Sequence, residues 1–156
     1  MYQGGCVWAK TSLSVCLLAS VLVPTQPLSA QSIGLVDRQG PSHRVVMHVN
    51  SGEDKVQRGA LNNIRHLYQE VGREHLTLEV VVHGAGLALL SKKTSLLAGE
   101  LAQLKTEFGV HYTACSNTMK AMQLTREDLL DVVGDTVPAM VRLMERQEQG
   151  WVYIKP

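Results

Sequence analysis

"LTLEVVVHG", Leu76 to Gly84, is the stretch on which the fold turns. Val80, Val81 and Val82 follow one another without a polar residue between them. A strand with one wet face would alternate apolar and polar side chains. An unbroken β-branched run marks a strand covered on both sides, as in a parallel sheet. Before it, "HRVVMHV" from His43 to Val49 has the composition of a first strand. "NSGED" then supplies a turn, with Ser51 and Asp54 at capping-box spacing. The spacing of Val56, Ala60, Ile64, Leu67 and Val71 predicts a helix from Glu53 to Val71, stopped by Gly72. After it, "GAGLALLSKKTS" predicts a short helix and a turn. Leu97, Leu101, Leu104 and Phe108 predict a longer helix over Ser95 to Phe108. "VHYTAC", Val110 to Cys115, is a third strand, followed by a short helix from about Asn117 to Gln123. Thr125 and Asp128 have capping-box spacing, and a short fourth strand is expected around Val132 and Val133. A last helix over "TVPAMVRLMERQEQG" has Pro138 in its first turn and a stripe of Val137, Met140, Val141 and Met144, expected to be core. "WVYIK", Trp151 to Lys155, closes the chain as a strand. Regular strand–helix alternation predicts a three-layer α/β/α sandwich around a parallel sheet.

The chain has 156 residues and 45% hydrophobic content, which suits one globular domain that needs no disulfide staple. Its first thirty residues differ from the rest. They hold no acid and one base, Lys10, then the apolar run Leu13 to Val23, then small residues Ser29 and Ala30. These are the parts of a signal peptide, and the run is too short to span a bilayer. The expected division is a signal peptide at 1–30, a flexible lead-in at 31–42 and one domain at 43–156. Cleavage would leave 14 basic and 14 acidic side chains, with no basic run beyond Lys92 and Lys93. Nucleic-acid binding wants a basic face, so that class of partner is excluded. No stable membrane span is expected after cleavage.

Cleavage would also reduce three cysteines to one, Cys115. Exported thiols usually pair, so a lone one points to intermolecular pairing or a reactive group. Cys115 falls between a strand and a helix, where ligand sites gather in open parallel sheets. The helix start supplies free N–H groups and partial positive charge, which favour thiolate, the nucleophilic form. Ser116 and Asn117 add short polar groups that can cap the helix or bond the sulfur. The structural alternative is a buried cysteine acting as a small hydrophobe. No CxxC is present, so thioredoxin-type exchange within one chain is excluded, but a persulfide or mixed disulfide is not.

At "VVHG" (81–84), "GVHYTACSNTM" (109–119), "LTREDLL" (124–130) and "ERQEQGWVYIKP" (145–156), the chain resembles the DsrE/DsrF-like sulfur-relay family, particularly its exported branch. The resemblance covers roughly residues 43 to 156. It implies a five-stranded parallel sheet in order 4-3-2-1-5, homo-oligomers (trimers or hexamers), and, in some members, sulfur carried as a persulfide on the cysteine matching Cys115. In that strand order His83 falls beside Cys115, where it could stabilise thiolate or move a proton. A histidine bonding local backbone is the alternative. His48 is a weaker candidate at the same edge, and His111 starts its strand at the opposite edge. Gly84 and Asn50, just past their strands, complete the candidate pocket with Ser116 and Asn117.

The histidines show no metal spacing, and "GAG" at Gly84 to Gly86 is not a dinucleotide fingerprint, so no metal or cofactor is expected. The first functional expectation is a periplasmic sulfur-handling protein that takes and passes sulfane sulfur through Cys115, with donor and acceptor unidentified. The alternatives are a non-catalytic oligomeric module that docks a partner or small thiol in the same pocket, and a peroxide-sensing thiol.

Overall fold

Leu76–Val82 forms β2, and every residue of it except Thr77 is buried. It pairs in parallel with β1 (His43–Val49) on one side and β3 (His111–Cys115) on the other. β4 (Val133–Val137) flanks β3 and β5 (Val152–Ile154) flanks β1, so the parallel sheet runs β4-β3-β2-β1-β5. This is the expected order. The computed structural model describes residues 43–156; the expected signal peptide and lead-in lie outside the described residues.

The pleat sends alternate residues to two unequal layers. Val45, Met47, Val49, Leu78, Val80, Val82, Tyr112 and Ala114 join the larger core. They meet Ala60, Leu61 and Ile64 of α1 (Asp54–Val71) and Leu101 and Leu104 of α2 (Ala98–Phe108). Each fully buried leucine here contributes about 1.5–3 kcal/mol relative to exposure. The opposite face is thin. Val46, Val81 and Cys115 meet only Ala139 and Leu143 of α4 (Ala139–Glu148), with Trp151 at the border.

The last helix departs from expectation. Met140, Val141 and Met144 are exposed, and α4 buries Ala139 and Leu143 instead. β4 runs on to Val137, so Pro138 sits at the N-cap and the inward face falls at 139, 142, 143 and 146. Two of those positions are arginines. They reach Glu79, an acid 1% exposed in the middle of β2. Glu79 accepts from the Thr113 hydroxyl at 2.6 Å and from Arg146 Nε at 2.5 Å, with Arg142 Nε 3.3 Å away. Arg142 also pairs with Asp135, which His111 meets at 3.0 Å, and Arg146 lies 4.4 Å over the Trp151 ring. A buried carboxylate needs such partners, and here they tie α4 to the sheet.

The expected box at the start of α1 is also absent. Glu53 is the N-cap without a side-chain cap, while Ser51 Oγ accepts the Glu53 N–H at 3.1 Å. The box at Thr125 and Asp128 does form, on a short 3-10 turn at Arg126–Asp128.

Candidate functional site

Cys115 ends β3 and is itself the N-cap of α3 (Ser116–Ala121). Its partner across the ladder is Val137, the last residue of β4, so α4 begins two residues further on. Two helix starts therefore converge on one sulfur. The groups that favour negative charge there are the Thr118 hydroxyl and the backbone N–H groups of Ala139, Thr118 and Asn117. Burial is the largest single influence and raises the pKa of Cys115, which is 6% exposed; the hydrogen bonds together outweigh it and leave the thiol below its ordinary value. Apolar walls exclude water, while fixed donors replace it around a thiolate.

Thr118 occupies a pivotal place. Its Oγ1 accepts the Gly84 N–H at 3.0 Å while its hydroxyl serves the sulfur. Gly84 has φ 57°, a left-handed conformation that glycine adopts without a Cβ penalty. It opens a 3-10 helix, Gly84–Leu90. That helix is pinned again where the Gly86 N–H donates to the Asn50 carbonyl at 3.1 Å. A Cβ on Gly86 would lie 2.8 Å from the Val49 carbonyl oxygen, so the approach requires glycine. Gly84 and Asn50 thus contribute backbone that fixes the wall beside Thr118.

The match to known proteins follows the same boundaries. The profile of the DsrE/DsrF-like family matches residues 44–156. The chain belongs to the DsrE/DsrF-like family. A solved protein of unknown function from Methanobacterium thermoautotrophicum is similar, with 31% identity and a TM-score of 0.68 over 74% of this chain and 100% of the other. No curated protein sequence matches.

The remaining expected residues of this DsrE-like site divide into two groups. Asn117 serves the sulfur through its backbone N–H, and Ser116 is the first residue of α3. His83 stands one residue beyond Val82, which pairs with Ala114, so it falls in the row of Cys115. Its N–H donates to the Val49 carbonyl at 3.1 Å, and its ring stacks on His48 with centroids 4.7 Å apart. The donors acting on the sulfur come from Thr118, Ala139 and Asn117, not from His83. Burial holds the His83 pKa below its ordinary value, aided by the Lys155 charge. Burial, the His83 charge and the Lys155 charge bring His48 to about 4. Both rings are therefore neutral at neutral pH.

Sequence reasoning missed Thr118 and Ala139. Thr118 had a signal: with Cys115 as N-cap it stands at N3, the position whose side chain reaches back in a capping box. Ala139 had none, because its amide arrives from another strand. The closest grouping of metal-ligand atoms among the described residues is Glu79, His111 and Asp135, within 4.8 Å of one another. Both carboxylates there already face guanidinium groups, so the cluster is neutralised without an ion.

Proposed function

We propose that this protein handles sulfane sulfur, carrying it as a persulfide on Cys115. What carries this reading is the ring of donors around one sulfur, drawn from two helix starts and the Thr118 hydroxyl. Family membership points to sulfur relay. The Cys115 thiolate attacks the outer sulfur of a donor persulfide. A new S–S bond forms, the donor's S–S bond breaks, and the donor leaves as a thiolate with the bonding pair. No external oxidant is needed. In the new persulfide the outer sulfur carries the proton or the charge, while the donors from Thr118, Ala139 and Asn117 stay on the inner sulfur. In this reading Gly84, Asn50, Ser116 and Asn117 are assigned to the pocket wall, and His83, in the row of Cys115, is assigned proton exchange with donor or product.

The leader pattern at residues 1–30 supports export, and with the family's exported branch it supports a periplasmic location. The exposed Met140, Val141, Met144, Val152 and Tyr153 support assembly into a homo-oligomer, a trimer or hexamer, since adjoining apolar residues of this kind mark interaction surfaces.

Intact mass measurement after treatment with inorganic polysulfide tests the reading. The expected result is one added sulfur on the native chain, lost in Cys115→Ala. No adduct with any sulfane donor would instead favour a binding module, and oxidation by peroxide alone would favour a sensor thiol.

A further inference from the structure

The C-terminal edge of the sheet holds a second polar group, separate from the donors around the sulfur. His48 is 8% exposed, and its Nδ1 lies 2.7 Å from the Tyr153 hydroxyl. The phenol proton is the more acidic of the two, so the phenol donates and the imidazole Nδ1 accepts. The ring proton of neutral His48 then sits on Nε2. Nε2 of His48 and Nε2 of His83 are both buried, and neither has a partner. A buried polar atom left without a partner is costly, so each favours a ligand that can meet it. The rings stack with centroids 4.7 Å apart and planes 20° apart, so the two unpartnered nitrogens belong to neighbouring side chains. Lys155 follows Ile154, the partner of Met47, and so continues β5 in the row of His48; its charge acts on both rings. A cleft of about 420 Å³ reaches His48, the one of His48, His83 and Lys155 that lines it, and is walled also by Tyr153, Met140, Met144, Gln147 and Glu148.

We propose that His48, His83 and Lys155 form a subsite for a small oxyanion, held by two neutral imidazole N–H donors and one ammonium. Tyr153 is a positioning residue that fixes the His48 tautomer. The group satisfies the orphaned nitrogens without needing a charged imidazole, which burial disfavours. Glu148 is the acidic residue in the adjoining cleft, and it opposes the anion. The site does not rest on sulfur transfer at Cys115, so it is tested where that chemistry is removed.

The experiment is calorimetric titration of the full chain carrying Cys115→Ala with sulfate at low ionic strength, alongside nitrogen-15 spectra of the imidazoles in the native chain. One saturable site is expected. It should weaken about tenfold or more in His83→Gln and in Lys155→Met, as for loss of a hydrogen bond to a charged group. It should tighten in Glu148→Gln. The His48 proton should sit on Nε2 and move to Nδ1 in Tyr153→Phe. Unsaturable binding, or binding lost in Lys155→Met but untouched by His83→Gln, overturns the proposal in favour of a surface ion. A native spectrum with the His48 proton on Nδ1, or zinc perturbing Nε2 where sulfate does not, overturns it in favour of a cation site. The spectra decide even if a variant fails to fold. Loss of sulfate binding with a normal polysulfide adduct would end this inference alone.

Discussion

Replacing Glu79 with glutamine keeps its shape and removes its charge, and the consequence is expected both in stability and at the sulfur. Glu79 is 1% exposed and faces two guanidiniums whose side chains are 17% and 21% exposed. Taking one partner from a buried ion pair costs about 3–5 kcal/mol. Here each arginine keeps a second partner: Asp135 for Arg142, and Gln149 with the Trp151 ring for Arg146. Both heads also retain some water. The expected loss therefore falls at or just below the bottom of that range, about 2–3 kcal/mol, or a fall in Tm of roughly 10 °C for a domain of this size. Urea unfolding followed by circular dichroism measures it. Because Arg142 and Arg146 hold α4, and α4 brings the Ala139 N–H to Cys115, the thiol should also become less acidic. A loss under about 0.5 kcal/mol, comparable to a surface change, would refute the idea that this network anchors α4. A large loss of stability with an unchanged thiol pKa would refute the coupling to the site.

Thr118→Val should raise the Cys115 pKa by about one to two units, since a hydrogen bond to a charged group is worth about 1.5–3 kcal/mol; Thr118→Ser should restore it, and pH-dependent thiol absorbance follows both. Acid should destabilise the fold between pH 6.5 and about 4. Over that window unfolded His48 binds a proton that folded His48 refuses, so stability rises with pH, by up to about 1.4 kcal/mol per unit. His48→Gln should flatten the Tm–pH profile there, and an unchanged slope would contradict the assignment. Light scattering should show a trimer or larger, reduced to a monomer by Met140→Glu with Met144→Glu; an unmodified chain that is monomeric at micromolar concentration would remove the proposed interface. Gly86→Ala should cost stability and disturb the neighbouring Thr118–Cys115 contact, visible as faster amide exchange at Gly84.

The strands were legible because their residues carry two-sided burial on their face. The valine run in β2 leaves no polar side to wet, and β1 was bounded from the same composition. α4 was not legible. Its methionines form a good apolar stripe, and pattern alone assigns such a stripe to the core. What turned the helix over was Glu79, whose burial demands cations, so Arg142 and Arg146 face inward and the methionines face out. A glutamate inside an otherwise apolar strand was the available warning. Cys115 was located from the join of two local patterns, and α3 does begin on it. The Ala139 donor was beyond reach, because it depends on how far β4 extends before Pro138 stops it. His83 was placed in its row through strand order, but its ring turns to His48, a contact set by a neighbouring strand rather than by local sequence.

The most direct measurement is the pH dependence of iodoacetamide alkylation at Cys115 in the native chain, read on the peptide that carries it, with the denatured chain and His83→Ala alongside. A native midpoint below that of the denatured chain is expected, and it should rise to the free value of about 8.5 on denaturation. Because the donors belong to Thr118, Ala139 and Asn117, His83→Ala should leave the native midpoint in place. A native midpoint at or above the free value, or labelling seen only in denaturant, would make Cys115 a packing residue and contradict its role as a sulfur carrier.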